Sequence, residues 1–189
     1  MARKIGIKNI HIAINTQDDT NALTYEKPVK FARAIKASVK AKSNSETWYS
    51  DDAVEDVINE FDSVDVEIEV NALTLKQQAM LLGHKLDGKG GMIQNKNDIA
   101  PYVSLMFMSK KSNNKYRYVL LYKGKFELIG EEYNTQTNKI ESVTPKLKAT
   151  FVATEHNGDY IYKLDEDEEG FDKTIAESFF TQVHGSTVA

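Results

Sequence analysis

At 189 residues, with 41% hydrophobic and 28% charged side chains, the chain has the make-up of one ordinary folded domain, which excludes a disordered tail. It holds no cysteine, so disulfide frameworks, thiolate metal sites and cysteine nucleophiles are excluded, and no segment approaches the roughly 20 apolar residues of a membrane span. A net charge of −4 with a pI near 5.6 argues against a protein that grips nucleic acid through its phosphates.

Met1–Lys4 leads into alternating sequence without an apolar leader run, which fits a cytoplasmic origin. The first predicted strand spans Ile5–Ile14. Its isoleucines stand at odd positions (Ile5, Ile7) and then at even ones (Ile10, Ile12, Ile14), so a bulge or bend is expected near Lys8–Asn9. From Val29 to Lys42 the apolar residues keep odd positions while Lys30, Lys36, Lys40 and Lys42 fall at even ones, a strand with a cationic outer face. Ser43–Phe61 shows no clear period and reads as a long loop carrying the only tryptophan, in Thr47-Trp48-Tyr49. Val64, Val66, Ile68 and Val70 then alternate with Asp65, Glu67 and Glu69, a half-buried strand with an acidic face.

Thr74 and Gln77 have capping-box spacing and Gly83 stands where a left-handed residue would end the helix between them. Leu75, Ala79 and Leu82 mark its inner face, widened by Met80 and Leu81. Asp87–Gly91 reads as a turn. Tyr102–Met108 is apolar on nearly both faces and should be a central strand, followed by Lys115–Tyr122, a turn at Gly124 into Phe126–Ile129, Leu147–Thr154, and a hairpin turn at Asn157-Gly158-Asp159 into Tyr160–Leu164. An acidic knot, Asp165–Glu169, precedes a tail that ends in Phe179-Phe180 and Val183.

Charge is segregated along the chain. Six bases and no acid lie between Lys27 and Ser45, and ten acids and no base between Glu46 and Glu69. Either these are two solvated strand faces, or basic and acidic surfaces meet between neighbouring copies. Specific catalytic patterns fail one by one. Gly83–Gly90 has the spacing of a phosphate loop, but Gly90 stands where Ser or Thr should bind magnesium, and a helix precedes it where a strand is needed. Asp165–Gly170 opens like a calcium loop, yet its twelfth position is Ala176. The four histidines have no zinc spacing, and no nucleophile elbow exists. No catalytic, cofactor or metal residue is assigned.

Several segments together resemble the major tail proteins, or tail tube subunits, of bacteriophages with long non-contractile tails. The resemblance rests on Gly6-Ile7-Lys8-Asn9-Ile10-His11-Ile12-Ala13, Thr47-Trp48-Tyr49-Ser50-Asp51-Asp52, Leu81-Leu82-Gly83 with Asp87-Gly88, Tyr116-Arg117-Tyr118-Val119, Thr150-Phe151-Val152-Ala153, and Phe179-Phe180 with Val183, in that order. The family implies a mainly β (α+β) domain over residues 1–189: a tail-tube-type β-sandwich or barrel with one short flanking helix, the long loop at about 43–61, and arms at about 1–10 and 171–189. It also implies a virion structural protein, assembled in the host cytoplasm, whose homo-hexameric rings stack into a tube. A tape-measure protein and tail initiator and terminator proteins are the implied partners, and DNA passes through the bore without specific binding. Trp48, Tyr49, Asp51, Asp52, Lys36, Lys40, Lys42, Phe179 and Phe180 are then expected at subunit or ring interfaces, and Asp65, Glu67 and Glu69 on the bore. The alternatives are a calcium- or carbohydrate-binding β-sandwich module using Trp48 and Tyr49, and a related tube protein from a secretion or contractile system.

Overall fold

Period-two sequence folds here into one curled sheet of ten strands, with a separate two-stranded ribbon. The structure is a computed structural model that describes residues 2–51, 53–131, 133, 135 and 144–188. In chain order the elements are β1 (Lys4–Asp18), β2 (Leu23–Tyr25), β3 (Val29–Lys30), β4 (Ala34–Ser50), β5 (Ala53–Val70), α1 (Leu75–Leu82), β6 (Lys85–Leu86), β7 (Met92–Ile93), β8 (Val103–Lys111), β9 (Tyr116–Phe126), β10 (Lys146–Val152), β11 (Ile161–Asp165), α2 (Lys173–Ser178) and β12 (Thr187–Val188). The main path runs β12-β2-β1-β8-β9-β10-β5-β4, and β11 pairs with β9 and β3 with β1 off that path. The fold is mainly β, as expected.

The bulge expected in β1 is present. Register with β8 shifts between Lys8 and His11, where Asn9 takes a left-handed φ of 58°, and beyond it Ile10 and Ile12 point inward. β8 lies between β1 and β9 and buries both faces, the central position its composition called for. Its two faces divide the core. Leu105 and Phe107 join Ile12, Val66, Leu121 and Phe151 on one side; Met106 joins Tyr25, Leu120, Tyr122 and Phe179 on the other. Strands β4, β5 and β10 and helix α1 cover the first cluster, and the C-terminal segment covers the second.

Helix α1 has the cap its sequence promised. Thr74 Oγ1 accepts from Gln77 N and Gln77 Oε1 accepts from Thr74 N, while Gly83 ends the helix at φ 73°. Its buried face agrees with expectation at Ala79, Leu81 and Leu82 and differs at two positions, with Gln78 inward and Leu75 exposed. A second short helix, α2, joins it where one had been expected.

Five further expectations are corrected. The strand predicted for Val29–Lys42 is broken at Phe31–Arg33 into β3 and β4, and a register irregularity between Ala34 and Lys36 leaves Ile35 exposed. Ser43–Phe61 is not a loop but the outer half of the β4–β5 hairpin, paired from Ser43↔Phe61 to Ser50↔Ala53. Gly124 lies inside β9 rather than at a turn, because the Phe151 ring occupies the space a Cβ would take, 2.5 Å away. The Asn157–Asp159 turn exists, but β10 and β11 do not pair with each other; they share one edge of β9, at Lys123–Phe126 and Arg117–Leu121. The terminal arms are integrated, since Lys4–Lys8 pair with β8 and β12 lies parallel to β2.

Candidate functional site

The outer part of the β4–β5 hairpin projects from the body of the fold. From Lys40 to Trp48 and from Asp56 to Asp62 every residue is exposed, so both faces of the ribbon meet solvent. Eight residues from Ser43 to Ser50 carry it roughly 25 Å outward at ~3.3 Å per residue. Trp48 is 52% exposed, and Val57, Ile58 and Phe61 add further apolar surface, although Phe61 stacks on Tyr160 at 4.0 Å. Asp51 turns the tip in a left-handed conformation, φ 48°. Asp52 lies outside the described residues, as does the side chain of Tyr49. Between Ser43 and Asp62 there are seven carboxylates and no base.

Nearer the body, antiparallel pairing resolves the charge segregation of the sequence within one chain. Lys36 lies opposite Glu69 and Lys40 opposite Asp65, and Lys42 Nζ reaches Asp65 at 2.7 Å. On the other side of β5, Lys146 faces Glu69 and Lys148 faces Glu67. Lys125 lies across from Thr150, and Glu127 bonds alongside Lys148. Cross-strand partners share a face. Asp65, Glu67 and Glu69 therefore form the middle row of a mixed lattice, with lysines on both flanks, and not the bare acidic face expected from β5 alone. Their inward neighbours Val64, Val66, Ile68 and Val70 are all buried.

Of the two C-terminal phenylalanines expected at an interface, Phe179 is 2% exposed and sits 5.2 Å from the Tyr118 ring in the chain's own core. Phe180 is half-buried, 4.7 Å from the His11 ring. The structure thus brings Lys36, Lys40 and Lys42 together with the acidic trio, holds Trp48 and Asp51 apart at the hairpin tip, and removes Phe179 from the surface.

One feature had no local signal in the sequence. Strand β4 is the last strand of the sheet, and the Lys4–Lys8 stretch of β1 pairs only with β8, so the sheet curls round the first core cluster without closing. A cavity of 440 Å³ lies in the gap, floored by Ile7, Val39, Phe107, Val119 and Ile161. Residues 154 apart in sequence meet there, which no window of the chain could reveal.

The phosphate-loop spacing is explained by a turn. The Asp87 carboxylate accepts from the N–H groups of Lys89 at 2.7 Å and Gly91 at 2.8 Å, and these bonds hold its carboxyl below the usual range. The amides that would cradle a phosphate already have an anion of their own. The calcium-like run is likewise occupied: Asp165 and Asp167 both accept from Lys111 Nζ, Arg117 Nε reaches Asp165 at 2.6 Å, and Asn113 Nδ2 reaches Asp167 at 2.8 Å.

Residues 38–187, about four fifths of the chain, match the model of the phage tail tube protein family. The chain belongs to that family. A comparison with curated proteins finds no match. As a tail tube protein it is a structural component of the virion tail and not an enzyme. The matched span takes in the outer hairpin, the charged lattice apart from Lys36, and the C-terminal core segment, while the Gly6–Ala13 stretch lies before it. No helix among the described residues of this tail tube protein is long and apolar enough to cross a membrane.

Proposed function

We propose that the protein is the tube subunit of a long, non-contractile phage tail, forming hexameric rings that stack into a hollow conduit for DNA. Such a tube would be built in the host cytoplasm around a tape-measure protein, between an initiator and a terminator. The projecting hairpin carries this reading. A ribbon with solvent on both faces and a half-exposed tryptophan gains little from its own domain beyond the Phe61–Tyr160 stack, and aromatic anchors of this kind are what protein interfaces bury. The hairpin is the proposed bridge to an adjacent subunit or ring, through Trp48, Tyr49, Asp51 and Asp52. Many such contacts, each weak, hold a long polymer together through multivalency.

The lattice of β4, β5 and β10 is the proposed bore face. There the carboxylates Asp65, Glu67 and Glu69 cancel the rows of lysine beside them, so that a passing duplex meets a surface with no strong net grip on phosphate. Removing residues 44–60 and joining Ser43 to Phe61 through an Asn-Gly turn should leave a folded subunit, seen by circular dichroism, that no longer forms tubes in negative-stain images. Tubes of normal length from that variant would overturn the reading.

A further inference from the structure

The gap between the open edges of β1 and β4 has the chemistry to receive the tip of a second copy's hairpin. Its floor is apolar, and Ile5 and Ile35 stand exposed beside it at 61% and 52%. Its rim carries Lys4 and Lys163, neither of them in an ion pair among the described residues, Lys36, which stands across from Glu69, and Arg117, which is held by Asp165. Among the described residues no carboxylate lines it. Among the described residues, neither the Lys4–Lys8 stretch of β1 nor β4 has a strand partner on this side. The 440 Å³ of space is enough for large side chains but not for a domain.

The hairpin's outer half has the matching properties. It is a two-stranded ribbon with six carboxylates and no base, and its Trp48 is half exposed. It cannot enter its own chain's groove, because the groove lies against Ile35–Val39 and the tip lies at Ser50 on the same continuous strand. Donor and acceptor thus occupy opposite ends of β4. A contact between unlike surfaces of identical chains is directional and repeats, closing into a ring or extending as a stack.

We infer that the groove floored by Phe107, Val119 and Ile161 and rimmed by Lys4, Lys36 and Lys163 is the docking site for the acidic, Trp48-bearing hairpin of another copy of this chain. This rests on the tube reading and names the surface the hairpin meets. The test reverses the rim with Lys4→Glu, Lys36→Glu and Lys163→Glu, and separately reverses the hairpin with Glu46→Lys, Asp56→Lys and Glu60→Lys. Each set alone should raise the protein concentration at which tubes appear by about tenfold or more, and the two sets combined should bring it back toward the unaltered protein. Circular dichroism and melting curves show whether each variant folds. Because the chain has no cysteine, Trp48→Cys with Ile161→Cys supplies an independent readout: assembled protein should give a ladder of disulfide-linked oligomers on a non-reducing gel, and neither single variant should. Normal assembly after rim reversal, or tubes without the ladder, would overturn the docking site while leaving the tube reading intact if hairpin removal still blocks assembly. Tubes formed without the hairpin would overturn both.

Discussion

Lys111 is 4% exposed, a costly place for an ammonium group, and its neighbours account for it. Asp165, itself 7% exposed, and Asp167 accept from its Nζ at the mouth of the β8–β9 turn, and Arg117 closes the network from β9. Burial pushes the Asp165 carboxyl up, but the bonds from Lys111 and Arg117 outweigh it and leave the group below its usual range; Asp167 is pulled down to about 2, chiefly by Lys111. Lys111 is in turn held protonated above the ordinary lysine range by Asp165 and Asp167. Carboxyls that ionise more readily in the folded chain stabilise it fully above their unfolded value near 3.8, and that stabilisation is lost as pH falls through the folded value. Urea midpoints should therefore fall steeply between about pH 4 and pH 2, and less steeply in a Lys111→Met variant. Asp165→Ala, which leaves a buried cation short of its partner, should cost about 3 kcal/mol in denaturant unfolding at neutral pH. None of this network was legible in sequence. The run Asp165–Glu169 looks like a solvated turn or a cation loop until the fold places a lysine 54 residues earlier beneath it. Gly124 was misread for a similar reason, since a glycine that makes room for the Phe151 ring looks the same in a sequence as one that makes a turn. Gly124→Ala should destabilise by about 1–3 kcal/mol through overpacking, measured as a shift in urea midpoint with unchanged slope.

Elements were legible where one face is buried and the other is not. Strand β5 alternates because Val64–Val70 line the core, and α1 announced itself because a capping box is a local device written in four adjacent residues. Thr74→Ala removes the acceptor for Gln77 N and should lower stability by about 1 kcal/mol. The outer hairpin was illegible as strand for the converse reason. With both faces in solvent, nothing selects alternate apolar residues, so a ribbon held by backbone pairing carries no period. The same absence of burial makes it a poor contributor to the stability of the monomer, and its removal should leave the melting temperature nearly unchanged. The candidate site divides along this line. Trp48 and Asp51 stood out as unusual residues, whereas the groove between β1 and β4 is a product of sheet curvature alone.

At the scale of the molecule, charge that is segregated along the chain becomes interleaved in space. The lysines of β4 and β10 flank the carboxylates of β5, and the excess of acid is exported to the hairpin tip. Neutralising the middle row with Asp65→Asn, Glu67→Gln and Glu69→Gln leaves Lys36, Lys40, Lys42, Lys146 and Lys148 uncompensated. That variant should shift duplex DNA on a gel at low ionic strength where the unaltered protein does not, and the shift should vanish as salt rises. Retention of the unaltered behaviour would show that the lysines, too, are silenced elsewhere.

The projecting ribbon has a practical corollary. No lysine or arginine lies between Lys42 and Lys76, so trypsin has nowhere to cut the outer half of the ribbon. A glutamate-specific protease does, at Glu46, Glu55 and Glu60. Digestion with the two enzymes in parallel would give a footprint in which the outer ribbon of the free chain is nicked by one and spared by the other, and in any state that sheathes the ribbon it would be spared by both.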